Sequence, residues 1–363
     1  MPNFHARRDR LRRVLRREKV DALLITNFTN VTYLTGFTGD DSFLLVTLDD
    51  ALLVTDKRYD DQLGEECPDL PLMVRGPGDR MAPAVAGAIA DAGIERLGVE
   101  AAAMTLALQA SLAKQASSLE MHPIDSAVEG LRLVKDKDEI DEIRLAAYQA
   151  RKAFDVIRAG LTPEATENQV AADLEYQARR FGAKGLSFPP IVAVGPRGAL
   201  PHATPTDRKI GASDFTLIDW GANAGLYVSD LTRMVITGKV SARFRKLYDL
   251  VLEAQKAAIE AIKPGVLCKD VDAVARDIIT AGGHGNRFGH GLGHGIGLEV
   301  HEGPRLSSSD DTKLKAGMVV TVEPGVYLPG WGGIRIEDDV LVTSNGYELL
   351  TDVPKELDDC VVA

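Results

Sequence analysis

The sequence is poor in cysteine, in net positive charge and in long hydrophobic runs, and each shortage excludes a class of protein. Three widely spaced cysteines in 363 residues cannot form a disulfide framework, which favours a reducing compartment. A formal net charge of −11 argues against nucleic acid or an anionic membrane as the main partner, since both attract basic surfaces. No apolar run approaches the roughly 20 residues of a membrane span. We therefore expect a cytoplasmic globular protein.

The amino-terminal segment is rich in arginine but lacks the apolar core and the small-residue cleavage site of a signal peptide. Leu11, Val14 and Leu15 instead follow helical spacing. They predict a surface helix with one apolar stripe and solvated arginines.

Length and pattern together predict two domains. Short β-branched segments, among them VTYLT (31–35), alternate with Ala-rich helical stretches and indicate a small α/β domain over 1–128. From residue 132 on, helices come in pairs that are followed by strands. The second helix of the first pair is expected to begin at Thr162-Pro163, with proline at the first helical position.

A weak internal repeat supports the organisation of the second domain. Residues 157–182 resemble residues 262–283, since in both a helix ends in Gly and a Val-Ala-x-Asp helix follows. Two such helix pairs predict a catalytic domain over 132–363 with pseudo-twofold halves and a curved antiparallel sheet. The predicted fold class is therefore α+β, with a natural cleft between the two halves.

The segment FGHGLGHGIGLEVH (288–301) combines three histidines with five glycines. As a helix it would lose about 4–5 kcal/mol to the glycines, so extended chain is expected. His290 and His294 then point one way and leave a bare glycine face, which lets a backbone or a ligand approach closely. His301 is out of phase and can share their site only if the chain bends.

Two aspartates are expected to face each other across a hairpin at residues 218–233. Asp219 closes one predicted strand and Asp230 lies on the next, beyond a turn rich in Gly, Asn and Ala. The two carboxylates would repel unless a cation, or an arginine such as Arg233, compensated them.

Two glutamates lie in predicted strands, one of them in a run that is otherwise apolar. Glu323 falls within MVVTVEPGVYL (318–328), where a buried carboxylate costs several kcal/mol unless it is paired or bound to metal. In GIRIEDDVLVT (333–343), alternation places Arg335 and Glu337 on one face.

These four carboxylates and His294 form one inward-facing polar set. Their charge of −4 balances two divalent cations, so a dinuclear site fits better than a mononuclear one. Oxygen-rich ligation favours a hard ion such as Mn²⁺, with Co²⁺ or Zn²⁺ also accommodated. Two such ions would share a hydroxide of lowered pKa, and such a site performs hydrolysis.

The set and its local sequences resemble the metal site of the pita-bread metallopeptidases, which include methionine aminopeptidase, aminopeptidase P and prolidase. The resemblance implies that Asp230 and Glu337 bridge both ions. It implies that Asp219 serves one ion, that His294 and Glu323 serve the other, and that Glu323 also relays the proton.

Further positions match the proline-specific branch of that family. His202, in VGPRGALPHATP, resembles a histidine that contacts the substrate, and His290 resembles the one beside the ligand histidine. His301, in GLEVHEGP, resembles the one that steadies the scissile carbonyl. Arg335 resembles an arginine near the carboxyl side of the substrate. Residues 1–125 resemble the creatinase/prolidase-type N-terminal domain.

The resemblance implies hydrolysis of the bond before proline, in small peptides with proline at the second position, by a homodimer. An Xaa-Pro dipeptidase is preferred because the chain is short, but aminopeptidase P stays open because both groups have an arginine like Arg335. Methionine aminopeptidase usually lacks such an N-terminal domain, and creatinase does not need the metals. A non-catalytic binding module on this fold would typically have lost ligands, and here all five are present.

Overall fold

The computed structural model describes residues 3–362, which form two compact units, one up to Arg132 and one from Leu133 on. Among the described residues, no helix is both long enough and apolar enough to cross a membrane. The two units are described separately below.

The first unit is a mixed sheet with helices. Its strands are β1 (Ala22–Ile25), β2 (Phe43–Thr47), β3 (Ala51–Asp56), β4 (Leu72–Arg75), β5 (Arg96–Glu100) and β6 (Glu120–Ile124). Its helices are α1 (Phe4–Glu18), α2 (Phe28–Thr35), α3 (Asp60–Glu66), α4 (Met81–Asp91), α5 (Leu106–Gln115) and α6 (Glu129–Arg132). The strand order is β4-β3-β2-β1-β5-β6, antiparallel from β3 to β1 and parallel elsewhere. The central strand β1 is buried along its whole length, as an internal strand of a covered sheet should be.

The prediction of a strand at residues 31–35 is wrong, because this segment lies in α2. Asn27 caps the helix by accepting hydrogen bonds from the backbone of the first turn, and Gly36 ends it with a φ of 83°. Val31 and Leu34 are fully buried at helical spacing. The caps and this packing outweigh the β-branched composition.

The prediction that the arginines of the first helix are solvated is also wrong in part. Leu11 and Leu15 form the expected buried stripe, but Arg7 and Arg12 are buried as well. The guanidinium of Arg7 lies 4.3 Å from the ring centroid of Tyr33 and donates to the Tyr33 carbonyl at 3.0 Å. A cation–π contact and a hydrogen bond thus compensate its burial.

The second unit has two helix pairs and several short strands. Its helices are α7 (Lys137–Gly160), α8 (Glu167–Arg180), α9 (Ala242–Ala261) and α10 (Cys268–Ala281). Its strands are β7 (Gly185–Leu186), β8 (Ile191–Val194), β9 (Phe215–Trp220), β10 (Ala222–Asn223), β11 (Leu231–Ile236), β12 (Gly293–Gly295), β13 (Glu302–Leu306), β14 (Val319–Val322), β15 (Gly325–Leu328), β16 (Gly332–Arg335), β17 (Asp338–Val342) and β18 (Tyr347–Leu349).

The strands of the second unit pair in antiparallel fashion. One sheet has the order β11-β9-β8 and another has the order β13-β12-β14-β17-β18, while β7 pairs with β10 and β15 with β16. Alternate residues of β9 enter different cores: Ile218 packs with α7 and α8, and Leu217 packs with α9 and α10. Each helix pair therefore covers strands, as the internal repeat predicts.

Side-chain caps set the starts of the first helix pair. Asp136 and Glu139 form a reciprocal capping box at α7, with hydrogen bonds of 2.7 and 3.0 Å. Thr166 and Gln169 form the same box at α8. The predicted start of α8 at Thr162-Pro163 is therefore wrong by four residues, because the capping hydroxyl at 166 defines the first turn.

Candidate active site

Side chains of the second unit line a cavity of about 770 Å³. The structure brings to this cavity every site residue expected from the sequence, namely His202, Asp219, Asp230, His290, His294, His301, Glu323, Arg335 and Glu337. Their places in the fold follow from strand ends, strand breaks and loops.

Asp219 and Asp230 come from neighbouring strands, with a difference from the predicted hairpin. Asp219 is the penultimate residue of β9, where it lies opposite Thr232 of β11. Asp230 immediately precedes β11 instead of lying within it, and the connection contains β10, which pairs with β7. Both carboxylates are buried, as two strand ends inside a covered sheet require.

Arg335, and not Arg233, is the cation that compensates Asp219. The Arg335 guanidinium donates to the Asp219 carboxylate. Arg233 points to the other side, where it pairs with Asp338 at 2.6 Å and donates to the carbonyl of Glu337 at 2.6 Å. Successive side chains of β11 point to opposite sides of the sheet. Thr232 therefore contacts Glu337 and Arg335, and Arg233 contacts Asp338 on the other side.

Glu323 lies at a break between strands. The predicted strand 318–328 is two strands, β14 and β15, that belong to different sheets, and Glu323 follows β14 directly. Its backbone N–H donates to the carbonyl of Leu292 at 2.8 Å. Its Oε1 lies 3.4 Å from Nε2 of His294, which is 3.8 Å from Oδ2 of Asp230. The break thus turns a carboxylate of an apolar run into the cavity.

A second break carries Glu337, which lies between β16 and β17. The Thr232 hydroxyl donates to Oε2 of Glu337 at 2.6 Å and accepts from Nε of Arg335 at 3.0 Å. Arg335 also donates to the Tyr327 hydroxyl at 2.9 Å, and that hydroxyl lies 2.9 Å from Nε2 of His290. One hydrogen-bonded chain therefore runs from Glu337 through Thr232, Arg335 and Tyr327 to His290.

The electrostatics of the cluster favour protons or cations. Burial raises the pKa of Glu323 to about 8. Burial and then the neighbouring carboxylates raise the pKa values of Asp230 and Glu337 well above their ordinary values. Burial lowers the pKa of His294 to about 4, so its imidazole is neutral near pH 7. The cluster thus offers three carboxyl groups and one neutral imidazole nitrogen as possible metal ligands, and none of these four groups carries a positive charge near pH 7.

The donor set fits divalent cations. One ligand atom each from Asp230, His294 and Glu337 lie within 4.8 Å of one another. The Oδ1 atoms of Asp219 and Asp230 are buried and have no hydrogen-bond partner within residues 3–362. Nδ1 of His294 is 3.0 Å from the Gly295 carbonyl, and this contact fixes the tautomer that leaves Nε2 as a donor atom for a metal.

The glycines of the 288–301 segment have different surroundings. A Cβ on Gly293 would lie 2.0 Å from the Thr321 carbonyl oxygen, and one on Gly295 would lie 1.9 Å from the Gly303 carbonyl oxygen. A Cβ on Gly289 would meet nothing within 4 Å. The predicted close approach of backbone therefore holds where β12 packs between its neighbours and not at the start of the segment.

His301 and Arg305 lie beyond the turn that follows β12. The ring centroid of His301 is 4.5 Å from that of His294, so the chain bends as the shared site requires. Arg305 is the cross-strand neighbour of His294 on β13 and lines the cavity. Within the described residues, no carboxylate forms a salt bridge with its guanidinium, although the backbone N–H of Arg305 donates to Asp310.

The chain matches two known families of protein domain. Residues 141–344, more than half of the chain, match metallopeptidase family M24. The chain belongs to this family. Residues 7–134 match the creatinase/prolidase N-terminal domain.

Similar proteins of the family extend over almost the whole chain. The chain is 38% identical to an Xaa-Pro dipeptidase of Pyrococcus horikoshii over 94% of its own length and 95% of that protein. It superposes on an Xaa-Pro dipeptidase from Bacillus anthracis with a TM-score of 0.94, at 38% identity, over 98% of this chain and 99% of the other. An X-Pro aminopeptidase from Thermotoga maritima gives a TM-score of 0.89, also at 38% identity, over 96% and 99% of the two chains.

These findings confirm the family resemblance, the α+β fold with a creatinase-type N-terminal domain and a pita-bread domain, and the assignment as a metallopeptidase. M24 membership also implies divalent metal ions, which agrees with the cluster of Asp230, His294 and Glu337. The individual roles of the site residues stay predictions.

Two cavity residues of this metallopeptidase were missed in the sequence. Tyr327 lies four residues after Glu323 in the same apolar run, and its hydroxyl needs a partner when it is buried. Arg305 lies four residues after His301, in a segment where alternation on β13 would have pointed to it. Both residues also fit an ordinary strand, so the sequence alone does not single them out.

Proposed function

We propose that this protein is a metal-dependent Xaa-Pro dipeptidase. The observation that carries the dipeptidase assignment is Arg305, a cavity-lining residue whose guanidinium has no salt-bridge partner among the described residues. The Xaa-Pro dipeptidases of similar sequence and structure support the same assignment.

The metal would be held by the five residues expected from the sequence. We propose that Asp219, Asp230, His294, Glu323 and Glu337 bind two divalent cations, with Mn²⁺ favoured because oxygen donors dominate. Such cations would lower the pKa of a bound water and make a nucleophile available at neutral pH.

Glu323 and His301 are proposed to act on the reacting atoms. The Glu323 side chain is 17% exposed, against 7% for Asp230 and 9% for His294, so it is the most open to the cavity of these three. It would accept a proton and return it to the departing proline nitrogen. His301, beside His294, would donate a hydrogen bond to the carbonyl oxygen before proline.

The free carboxylate of a dipeptide needs a cation that is not already paired. Arg335 is 3% exposed and is held by Asp219, Thr232 and Tyr327, so we propose that it orders the site and does not bind the substrate carboxylate. Arg305 is proposed for that role. His202 would contact the same end of the substrate from the loop after β8, and His290 would support the site through Tyr327.

The metal requirement is tested by chelation and reconstitution. Purified protein is stripped of metal and assayed for proline release from Ala-Pro with and without Mn²⁺, Co²⁺ or Zn²⁺. Activity should return with a divalent ion, and Glu323→Gln should lose turnover while it remains folded. Absence of proline release with every ion would exclude the proposed activity.

The choice between dipeptidase and aminopeptidase is tested with Ala-Pro and Ala-Pro-Ala. We expect Arg305→Ala to raise KM for Ala-Pro at least about tenfold, since a charge-assisted pair contributes roughly 1.5–3 kcal/mol. Arg305→Lys serves as the charge-retaining control. Faster cleavage of Ala-Pro-Ala than of Ala-Pro would instead indicate an aminopeptidase P.

We also propose a homodimer and a cytoplasmic location. The three cysteines are buried and free, which is compatible with a reducing compartment. Sedimentation measurements test the dimer, and fractionation of the source cell tests the location.

A further inference from the structure

Three of the cavity histidines lie on irregular backbone. His294 is on strand β12, but His202, His290 and His301 lie on loops and turns. Such segments cannot satisfy their buried N–H groups through a sheet ladder. In each case a buried carboxylate, itself paired with a cation, accepts these N–H groups.

The first pair, which we call the 202 clamp, is Glu167 with Arg197. Glu167 is 0% exposed, and its two oxygens each lie 3.0 Å from Nε of Arg197. Its Oε1 accepts from the backbone N–H of Val194 at 2.8 Å, and its Oε2 accepts from that of Thr206 at 2.9 Å. The carboxylate therefore holds both ends of the loop that carries His202.

The second pair, the 290 clamp, is Asp272 with Arg276. The buried Asp272 accepts from Nε of Arg276 at 2.8 Å and from the backbone N–H of Leu292 at 3.0 Å. Arg276 donates to the carbonyls of Phe288 at 3.1 Å and His290 at 2.8 Å. The clamp thus fixes the backbone of His290 and of the residue two positions on each side.

The third pair, the 301 clamp, is Glu302 with Lys135. The two charged atoms are 3.1 Å apart, and the side chains are 5% and 1% exposed. Oε1 of Glu302 accepts from the backbone N–H groups of Leu298 and Glu299, at 2.9 and 3.2 Å. This carboxylate closes the turn that presents His301.

We propose that the three clamps are positioning devices, each of which sets the place of one cavity histidine. None of the six clamp residues is among the residues that line the cavity, so they act through the segments they hold. Each carboxylate is paired with its own cation, and charge-assisted hydrogen bonds fix backbone more firmly than neutral ones. The part of this inference that concerns catalysis rests on the proposed peptidase function.

Hydrogen–deuterium exchange tests the positioning without any need for activity. The wild-type protein is compared with Glu167→Gln, Asp272→Asn and Glu302→Gln. In each variant, amide exchange should accelerate at least about tenfold in the segment that its carboxylate holds. These segments are 194–206 for Glu167→Gln, 288–292 for Asp272→Asn and 298–302 for Glu302→Gln. Exchange in the other two segments should stay at the wild-type rate. Uniform acceleration, or unchanged exchange in the matched segment, would overturn the proposal.

Three further variants control for a general loss of folding. Arg197→Lys and Arg276→Lys retain the charge but lose the planar guanidinium, which in the wild type contacts both the carboxylate and backbone carbonyls, so they should show the same local pattern with a smaller amplitude. Asp311→Asn removes a partner from an exposed ion pair with Lys269 and should leave exchange in all three segments unchanged.

Double-mutant cycles test the effect on catalysis. Each clamp variant is combined with His202→Ala, His290→Ala and His301→Ala, and kcat/KM is measured on Ala-Pro. When a clamp variant is combined with its own histidine variant, the two losses in kcat/KM should be non-additive in free energy, because the clamp acts through that histidine. When it is combined with either of the other histidine variants, the fold-losses in kcat/KM should multiply. Multiplicative effects in the matched pairs would contradict the proposal. Lack of wild-type activity with every metal would reject the peptidase function, and the exchange experiment would still decide the clamps.

Discussion

Substitution of Gly293 by alanine is the sharpest test of how β12 is packed. The added Cβ would lie 2.0 Å from the carbonyl oxygen of Thr321, and real Cβ atoms do not approach closer than 3.0 Å. Strand β12 and strand β14, which carries Thr321, must therefore separate by about 1 Å. The obstacle is backbone in an internal strand of its sheet, so no side-chain rotation relieves it.

Two magnitudes follow from this geometry. Overpacking costs about 1–3 kcal/mol, and an obstacle of backbone places the cost near 3 kcal/mol. A unit of this size should then lose about 6–12 °C in Tm. The shift also moves His294 away from Glu323, which are 3.4 Å apart, and misplacement by about 1 Å costs roughly 100-fold in kcat.

Thermal unfolding and turnover of Ala-Pro by the Mn²⁺-loaded protein measure these effects. Gly289→Ala is the matched control in the same segment, because its Cβ meets nothing within 4 Å, and it should keep the wild-type Tm. If Gly293→Ala unfolded at the wild-type temperature with full turnover, the bare glycine face would have no structural role.

Three more predictions follow. Without metal, the protein should lose stability as pH rises from about 4.5 through about 8, because the raised pKa of Glu323 means that the folded state binds a proton that the unfolded state releases. Denaturant titrations at pH 5 and 8 check this. Glu323→Gln should reduce the dependence of the unfolding free energy on pH. Mn²⁺ should raise Tm, by the equivalent of about 2.7 kcal/mol for a site at 100 times its Kd, and an unchanged Tm on calorimetry would argue against the cluster as a metal site. Tyr327→Phe should lower kcat/KM about tenfold, because Arg335 and His290 each lose a hydrogen-bond partner; kinetics like those of the wild type would show that the hydroxyl is dispensable.

Site residues are predictable from the sequence where a side chain has few alternative explanations. Glu323 in an apolar run and the histidines in a glycine-rich segment stood out, because buried carboxylates and repeated imidazoles need a reason. These positions all reach one cavity. Their local motifs also pointed to the family that the comparisons confirm.

Sequence reasoning failed where long-range contacts decided between local options. VTYLT (31–35) has strand composition but is helical, because Asn27 and Gly36 cap it and its apolar residues pack at helical spacing. Arg233 looked like the partner of Asp219, but strand alternation turns it to Asp338. Arg335, 116 residues away in the chain, takes that place instead.

The sequence by itself determines the metal-binding side chains, the glycine-rich segment and the family motifs, because each can be recognised within one short stretch of residues. The tertiary fold alone decided which charges meet. Strand breaks at Glu323 and Glu337 turn two predicted strands into four and direct their carboxylates to one cavity. Among the described residues, the same fold leaves the Arg305 guanidinium beside that cavity without a salt-bridge partner, and it brings a buried carboxylate to each histidine loop. Local sequence cannot encode these choices, because each depends on the energy of burying one charge next to another that is distant in the chain.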